Sequence, residues 1–320
     1  MERTAWAFLL LLVRYASSKL PVVIDTDIGT DFDDSVALAY AVTSPELDVR
    51  LVVTATDDTT ARARIVAKYL AAYGRDDIPI GIGVKTSQTG RSLYDWASDV
   101  NLTSYKGGVA EDGIAKMAEV ISGSDVTVAI VAIAPATNFP PLLKRFPDVA
   151  KKAKVMAMSG SIYKGYDNSS NTAAEYNVHF CPDCTREMYE ASWNVTITPL
   201  DTCGIVTLSG SSWDTLLKGV ARNVAPVLME SWIFWCLHGH GCNLSPGAQT
   251  DVFFDATAVL LCTSYVGEFI EFNTLNVSVT DDGHTVVSSD KGTSIDVAVK
   301  WKAGGLDGFE SKLAETIAGS

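Results

Sequence analysis

Residues 22–42 read VVIDTDIGTDFDDSVALAYAV, which is a short apolar run, a cluster of acids and a second apolar run. The first three residues are β-branched and suit a buried parallel strand, and the last eight have the composition of a buried helix. Between them lie five aspartates: Asp25, Asp27, Asp31, Asp33 and Asp34. Ligands bind at the carboxyl ends of the strands in an open parallel sheet, so this cluster predicts a binding site.

The acidic cluster is electrostatically unfavourable unless something offsets its charge. Carboxylates a few ångströms apart raise each other's pKa or require a cation between them. Oxygen ligands favour Ca²⁺ or Mg²⁺ over zinc, so we expect a hard divalent cation. The alternative is that some of the aspartates only end the strand and cap the following helix, and Asp34 could do both.

Apolar strand-like runs alternate with amphipathic segments along the next part of the chain. Strands are predicted over residues 48–58, 78–84, 126–133 and 154–158, and helical segments over 60–73, 112–122 and 142–149. This alternation predicts an α/β fold with an open, mostly parallel, Rossmann-like central sheet and helices on both faces. No internal repeat or low-complexity linker interrupts it, so residues 19–320 are predicted to form a single domain.

The overall charge of the chain narrows the range of ligands. The 320 residues carry a formal net charge of −13. An acidic surface disfavours the nucleic-acid backbone and anionic membranes, which bind basic patches. A small-molecule ligand is therefore expected, without polymeric nucleic acid or membrane as partners. The sequence leaves open whether the protein forms a homo-oligomer.

The beginning of the chain resembles a secretory signal peptide. Residues 1–18 contain the apolar run AWAFLLLLV, which is too short to span a membrane, followed by small residues. Six cysteines, an even number, are also typical of secreted chains, and Cys236 and Cys242 flank a loop short enough to be bridged. Asparagines in glycosylation sequons are Asn101, Asn168, Asn194, Asn243 and Asn276. We therefore expect a secreted glycoprotein; the alternative is a cytoplasmic protein with free thiols.

The acidic stretch resembles the N-terminal signature of the inosine-uridine preferring nucleoside hydrolases. The matching residues are Asp25-Thr-Asp27-Ile-Gly29 and then Asp33-Asp34-Ser-Val-Ala37. An EF-hand fails on spacing, because its loop needs glycine at the sixth place and glutamate at the twelfth, where this chain has Thr30 and Val36. A haloacid-dehalogenase-type phosphatase needs Asp-x-Asp-Gly-Thr, and Ile28 displaces the Gly-Thr pair by one residue.

Further segments extend this resemblance over most of residues 21–260. Ile133 begins Ile-Ala-Pro-Ala-Thr-Asn, which is similar to the family segment whose main chain lends a carbonyl to the metal. Glu175 and Asn177 lie in Ala-Glu-Tyr-Asn, and we expect both on one side of an extended segment. Phe254-Asp255 stands where the family has His-Asp.

The resemblance implies calcium-dependent hydrolysis of the N-glycosidic bond of ribonucleosides through an oxocarbenium-like transition state. Asp27 would accept the proton of the attacking water. The implied Ca²⁺ ligands are Asp27, Asp34, the carbonyl of Ile133, and Asp255. The implied ribose-binding residues are Asp33, Asp58, Asn168, Glu175 and Asn177. Asn168 is also in a sequon, and a glycosylated side chain cannot line a tight pocket, so one of its two interpretations is wrong. Asp58 could instead cap the next helix.

The departing base usually needs a proton donor, and Phe254 cannot supply one. A glycine-rich loop near the last motif is the expected source of a donor or of a stacking ring; its residues are Trp232, Trp235, His238 and His240. These histidines could equally be solvated loop residues. Two other functions remain open: a secreted protein of the same fold that binds a ribosyl ligand without turnover, and the phosphatase.

We predict that the mature chain begins near Lys19 and carries at least one disulfide, between Cys236 and Cys242. The reasons are the signal-like leader and the short loop between these cysteines. Intact mass before and after reduction tests this. An intact Met1 together with six free thiols would place the protein inside the cell.

Overall fold

The centre of the fold is a sheet of ten strands in the computed structural model, which describes residues 19–87, 93–219, 224–240, 242 and 248–319. The order across the sheet is β4-β3-β2-β1-β5-β6-β7-β10-β8-β9. The strands are β1 (Leu20–Thr26), β2 (Leu47–Thr54), β3 (Ile80–Ile82), β4 (Val109–Ala110), β5 (Val128–Ala132), β6 (Ala153–Met158), β7 (Asn194–Thr198), β8 (Ile270–Val279), β9 (Thr285–Val287) and β10 (Thr293–Trp301).

The neighbouring strands from β4 to β10 in this order pair in parallel. The last two pairs, β10 with β8 and β8 with β9, are antiparallel. β1 lies in the middle, between β2 and β5, with Val22 opposite Val49 and Ala129. Its residues from Pro21 onward are buried, as the β-branched run predicts. The carboxyl end of β1 therefore opens at the centre of one edge of the sheet.

Twelve α-helices are present in the described part of the chain. They are α1 (Asp33–Thr43), α2 (Thr59–Ala72), α3 (Gly113–Ser122), α4 (Phe139–Arg145), α5 (Tyr176–Phe180), α6 (Pro182–Glu190), α7 (Leu200–Cys203), α8 (Gly210–Lys218), α9 (Val224–Trp235), α10 (Ala256–Leu260), α11 (Val266–Phe269) and α12 (Gly305–Ala318). Within the described ranges, no helix is long and apolar enough to cross a membrane.

The helices cover both faces of the sheet. Val22 and Ile24 of β1 belong to one core cluster, together with residues of α1, α2, α9, α10 and α12. Val23 points the other way, into a second cluster that contains residues of α3, α4 and α6. This two-layer covering confirms the predicted open α/β sheet with helices on both faces.

Both disulfides join cysteines that are close in sequence. Cys236 is bonded to Cys242, as the short loop predicts, and Cys181, between α5 and α6, is bonded to Cys184 in the first turn of α6. Cys203 and Cys262 are buried free thiols. The sequon residue Asn243 and residues 1–18 lie outside the described residues, so the structure does not bear on them.

A fully buried arginine on α2 joins the turn after β1 to the turn after β2 by hydrogen bonds. The guanidinium of Arg62, 1% exposed, donates to the carbonyls of Ile28 (2.9 Å) and Thr56 (3.1 Å) and to the hydroxyl of Thr30 (3.2 Å). Gly29 lies between two of these partners with φ +116°, a conformation that other residues rarely adopt. Arg62 therefore holds the acidic loop against the second strand.

We predict that Arg62→Ala lowers the free energy of unfolding by about 3 kcal/mol, because it leaves buried carbonyls without a partner. Arg64→Ala on the same helix is the matched control; Arg64 is half-buried, and a change of about 0.5 kcal/mol is expected. Urea unfolding of both variants measures the difference. Equal losses, or a loss under about 1 kcal/mol for Arg62→Ala, would contradict the prediction.

Candidate active site

A cavity opens beside the carboxyl ends of β1, β5 and β6, where the sequence predicts the ligand site. Its acidic side is formed by Asp27, Asp33, Asp34 and Asp255. Ile133, directly after β5, also lines it. Residues from five parts of the chain meet there: the first loop, the segment after β5, the end of β6 with its following loop, the start of α5 and the start of α10. The residues that complete the lining are Thr30, Asp31, Met158, Tyr166, Glu175, Tyr176, Asn177 and Phe254.

Three carboxylates of the cavity are close enough to share one cation. One oxygen from each of Asp33, Asp34 and Asp255 lies within 4.8 Å of the other two. Asp34 and Asp255 are buried, and Asp33 is 9% exposed. Burial, and then the charges of the neighbouring aspartates, hold the pKa of each of these carboxyls well above its ordinary value. Three buried carboxylates cannot all stay ionised side by side without a counter-charge. Because their ligand atoms are oxygens, a hard divalent cation fits this site.

Asp27 lines the same cavity but is not a member of this close set. Burial raises the pKa of Asp27 to about 6, and the buried Arg62 opposes this shift. The sequence interpretation placed Asp27 among the cation ligands and Asp33 at the sugar, whereas the structure groups Asp33 with Asp34 and Asp255. The reason is that Asp33 and Asp34 both fall in the first turn of α1, so both reach the start of α10.

The capping alternative does not explain the aspartates of α1. The helix begins after Phe32, which makes no side-chain cap bond, and Asp33 and Asp34 are already helical. Asp34 instead accepts a hydrogen bond from the hydroxyl of Thr26. Both carboxylates are thus available to a ligand in the cavity.

The segment after β5 is registered against β1. The N–H of Ile133 donates to the carbonyl of Asp25 at 2.9 Å, which continues the strand pairing. Asn177 lies across from it, with its side-chain nitrogen 3.5 Å from the carbonyl oxygen of Ile133 and 3.2 Å from that of Met158. The carbonyl of Ile133 therefore faces the polar groups of the cavity.

Glu175 and Asn177 both line the cavity, but by a different local geometry from the extended segment that we expected. Glu175 is the N-cap of α5, and its carboxylate accepts N–H bonds from Gly160, Asn177 and Val178. Burial raises the pKa of Glu175 to about 7 in spite of these three bonds. The cap, rather than strand alternation, brings the two side chains to the same side.

The second strand ends in a turn where two neighbouring acids have different surroundings. Asp58 caps α2 by accepting the N–H of Ala61 at 3.1 Å, and it does not line the cavity. Asp57 is the buried one, at 1% exposure, and its charge contributes to the raised pKa of Asp27. Asp58 therefore takes the capping role that the sequence also allowed, because its carboxylate is turned to the N–H of Ala61, and the structure does not bring it to the cavity.

Asn168 does not reach the cavity either. It is exposed, in a left-handed conformation with φ 57°, and it is absent from the cavity lining. An exposed asparagine fits the sequon interpretation and not the sugar-binding one. The side chain from this loop that does line the cavity is Tyr166.

The predicted leaving-group loop is also placed differently. Trp232 is buried against Trp213, with ring centroids 5.1 Å apart. His238 is exposed and stacks on Phe234 at 3.8 Å, away from the cavity lining. Trp235 lies nearer the site, since its ring nitrogen donates to the carbonyl of Thr30 at 2.9 Å. The side chain of His240 lies outside the described residues.

Comparison with known proteins agrees with the resemblance. The family model of the inosine-uridine preferring nucleoside hydrolases matches residues 22–307. The chain belongs to this family. A curated relative, the pyrimidine-specific ribonucleoside hydrolase RihA of Citrobacter koseri, is 31% identical over 196 residues, which is 57% of this chain and 60% of the relative. The chain thus spans under two thirds of the length of the curated relatives it matches.

Solved structures share the fold of this family member. An inosine-guanosine nucleoside hydrolase superimposes with a TM-score of 0.73 at 18% identity, covering 93% of this chain and 98% of the other. A purine-preferring ribonucleoside hydrolase from Gardnerella vaginalis has a TM-score of 0.71 at 17% identity, covering 94% of this chain and 100% of the other. At these identities the likeness establishes the fold alone.

We predict that, with chelator present, the melting temperature falls as pH rises from about 5 to 8. The pKa of Glu175 is raised from its ordinary 4.5 to about 7 and that of Asp27 from 3.8 to about 6. Between these values the folded chain holds protons that the unfolded chain has released, so stability is lost as pH rises.

A divalent cation binds the ionised form and should reverse this trend. At 100 times its dissociation constant at pH 8, Ca²⁺ should raise the melting temperature there by roughly 5 °C, and the same Ca²⁺ concentration should raise it by less at pH 5. Thermal melts with chelator and with Ca²⁺ at both pH values measure the effect. A cation shift that is the same at both pH values would contradict the expectation.

Proposed function

We propose that the protein hydrolyses the N-glycosidic bond of ribonucleosides, releasing ribose and free base, with Ca²⁺ held by the buried carboxylates. One observation carries the proposal: a single cavity contains the three-carboxylate set and, across from it, the polar pair Glu175 and Asn177. A cation site beside hydroxyl-binding side chains suits a sugar at which water must attack. Family membership supports the same reaction class.

The residues that would hold the cation offer only oxygen donors. They are Asp27, Asp34, Asp255 and the carbonyl of Ile133, with Asp33 close enough to contribute. This chemistry fits Ca²⁺ better than a softer metal, which would favour nitrogen or sulfur ligands. When bound, such a cation lowers the pKa of a water molecule and orients it.

Asp27 is the proposed general base. It lies in the cavity at the carboxyl end of β1, where its carboxylate can accept the proton of a water molecule. Arg62, buried behind the loop, favours its ionised form. Asp27 would therefore take the proton of the attacking water as the bond to the base breaks.

Glu175 and Asn177, with Asp33, are the proposed ribose-binding residues. Glu175 is fixed by three backbone N–H groups, and Asn177 by the carbonyl of Met158, so both are oriented before a ligand arrives. The sugar ring flattens in the transition state. Contacts to its hydroxyls that become stronger at that point lower the activation barrier. Tyr176 and Phe254, at the less acidic side of the cavity, are left to contact the base.

Sugar release from a nucleoside panel, with and without chelator, tests the proposal against its alternatives. Ribose release that chelator abolishes and Ca²⁺ restores supports it. Nucleoside-dependent thermal shift without release would favour a binding protein without turnover. Cleavage of a phosphate ester and of no nucleoside would favour the phosphatase.

We also propose that the protein enters the secretory pathway, which the local disulfides and the exposed sequon residues Asn101, Asn168 and Asn194 support. Treatment of protein from a eukaryotic secretory host with a glycosidase that removes N-glycans tests it. A mass decrease at these sites is expected; an unmodified chain retained in the cytoplasm would contradict it.

We predict that Asp27→Ala abolishes turnover of natural nucleosides and of nitrophenyl riboside alike, because water activation serves every substrate. A loss of at least about 100-fold in kcat is expected for the loss of a general base. Asp31→Ala is the matched control, because Asp31 is exposed on the same loop, and its effect should be mild. The reverse order of severity would show that the roles within the loop are misassigned.

A further inference from the structure

Tyr166 lines the cavity from the loop that follows β6, and it is 38% exposed. Its ring meets that of Phe254 edge to face, with centroids 6.1 Å apart, and both residues line the cavity. Phe254 and Met158, also on the wall, have no polar hydrogen to offer a ligand. Tyr166 therefore brings a hydroxyl to a part of the wall that its neighbours leave apolar.

The hydroxyl of Tyr166 is oriented by the backbone of α5. Its oxygen accepts the N–H of Tyr176 at 2.9 Å. A phenol that accepts one bond still has its own hydrogen to donate to another partner. Burial holds the pKa of Tyr166 above its ordinary value, so this hydrogen stays in place at neutral pH.

The turn that follows Tyr166 is strained. Asp167 and Asn168 both have positive φ, 56° and 57°, which two consecutive non-glycine residues rarely share. The turn is closed by backbone bonds from Gly165 to Ser169 at 3.0 Å and from Ser169 back to Tyr166 at 3.1 Å. Such strain persists only where the surroundings determine the conformation, and it concentrates at functional sites.

The rest of the loop is anchored to the sheet edge. Asp201 accepts the N–H groups of Ile162 (2.9 Å) and Tyr163 (2.7 Å). The hydroxyl of Ser161 donates to the carbonyl of Lys164 and accepts the N–H of Ala173. The loop therefore presents Tyr166 from a fixed frame, as a preorganised donor requires.

Rupture of the N-ribosyl bond leaves its electron pair on a nitrogen of the base. A donor aimed at the leaving group stabilises that charge in the transition state, where it counts toward the rate. Among the described side chains of the predicted loop, His238 and Trp232 do not line the cavity, and the ring nitrogen of Trp235 already donates to the carbonyl of Thr30. Tyr176, the neighbouring phenol, packs its ring on Phe180 and donates its backbone N–H to the hydroxyl of Tyr166.

We propose that Tyr166 is a catalytic residue that donates a hydrogen bond to the departing base. The inference rests on the proposed hydrolase function and adds the group that assists the leaving base. The bond from C1′ to the base nitrogen breaks, its electron pair stays on the nitrogen, and water oxygen bonds to C1′. Asp27 takes the water proton, the base gains a proton from solvent, and Tyr166 keeps its own.

The test compares Tyr166→Phe with Tyr163→Phe on two substrates. Tyr163 is an exposed phenol of the same loop outside the cavity lining, so the control makes the same chemical change. For Tyr166→Phe we expect kcat for uridine or inosine to fall about 100-fold, the size of one lost transition-state donor. Nitrophenyl riboside, whose leaving group is already good, should lose less than about twofold. Tyr163→Phe should match the wild type on both.

The pattern across substrates separates a donor from a structural residue. Equal losses on both substrates, or a shift in melting temperature that accounts for them, would make Tyr166 structural and overturn the inference. No loss on either substrate would overturn it as well. Both outcomes leave the hydrolase function standing, because the wild type still releases ribose. Release of ribose from neither substrate by the wild type would overturn both proposals together.

Discussion

Burial of several carboxylates at the end of one central strand is the constraint on which the rest of this structure depends. Asp27, Asp34 and Asp255 are nearly inaccessible to solvent, and each raises the pKa of its neighbours. A dry cluster of like charges destabilises a fold unless protons or cations neutralise it. The protein supplies part of the compensation itself, through the guanidinium of Arg62 and the hydroxyl of Thr26. A divalent cation would neutralise the remaining negative charge. The buried carboxylates therefore link the stability of the fold to its function.

The position of β1 explains why these groups can be assembled at all. Because β1 lies between β2 and β5, its carboxyl end adjoins the turns that follow both neighbours. α10 and α5 bring their first residues to the same edge from distant parts of the sequence. Each polar side chain is fixed by the start of a helix or by backbone bonds, so the cavity is organised before a ligand binds. The apolar wall that faces the acids is built by aromatic residues from loops, which is where a variable base would be contacted.

Much of this could be predicted from sequence, because its causes are local. The β-branched run and the alternation of strands with helices determine the parallel sheet, and the acidic loop marks its functional edge. What escaped prediction depends on turns and distant contacts. Asp58 caps α2 after a turn in which Asp57 has positive φ. In the loop after β6, Tyr166 lines the cavity and Asn168 does not. From its residue type alone, Trp232 could bind a ligand as well as pack in the core. Its contact with Trp213 shows that it packs in the core.

The metal content of the purified protein is the sharpest test of the proposed calcium site at the carboxylate cluster. Protein purified without chelator should contain one calcium per chain by elemental analysis, consistent with the three carboxylates that converge within 4.8 Å. Asp255→Asn, which removes one of those charges from the start of α10, should lower the calcium content of protein prepared in the same way. Protein free of divalent metal, or protein with stoichiometric zinc, would contradict the account.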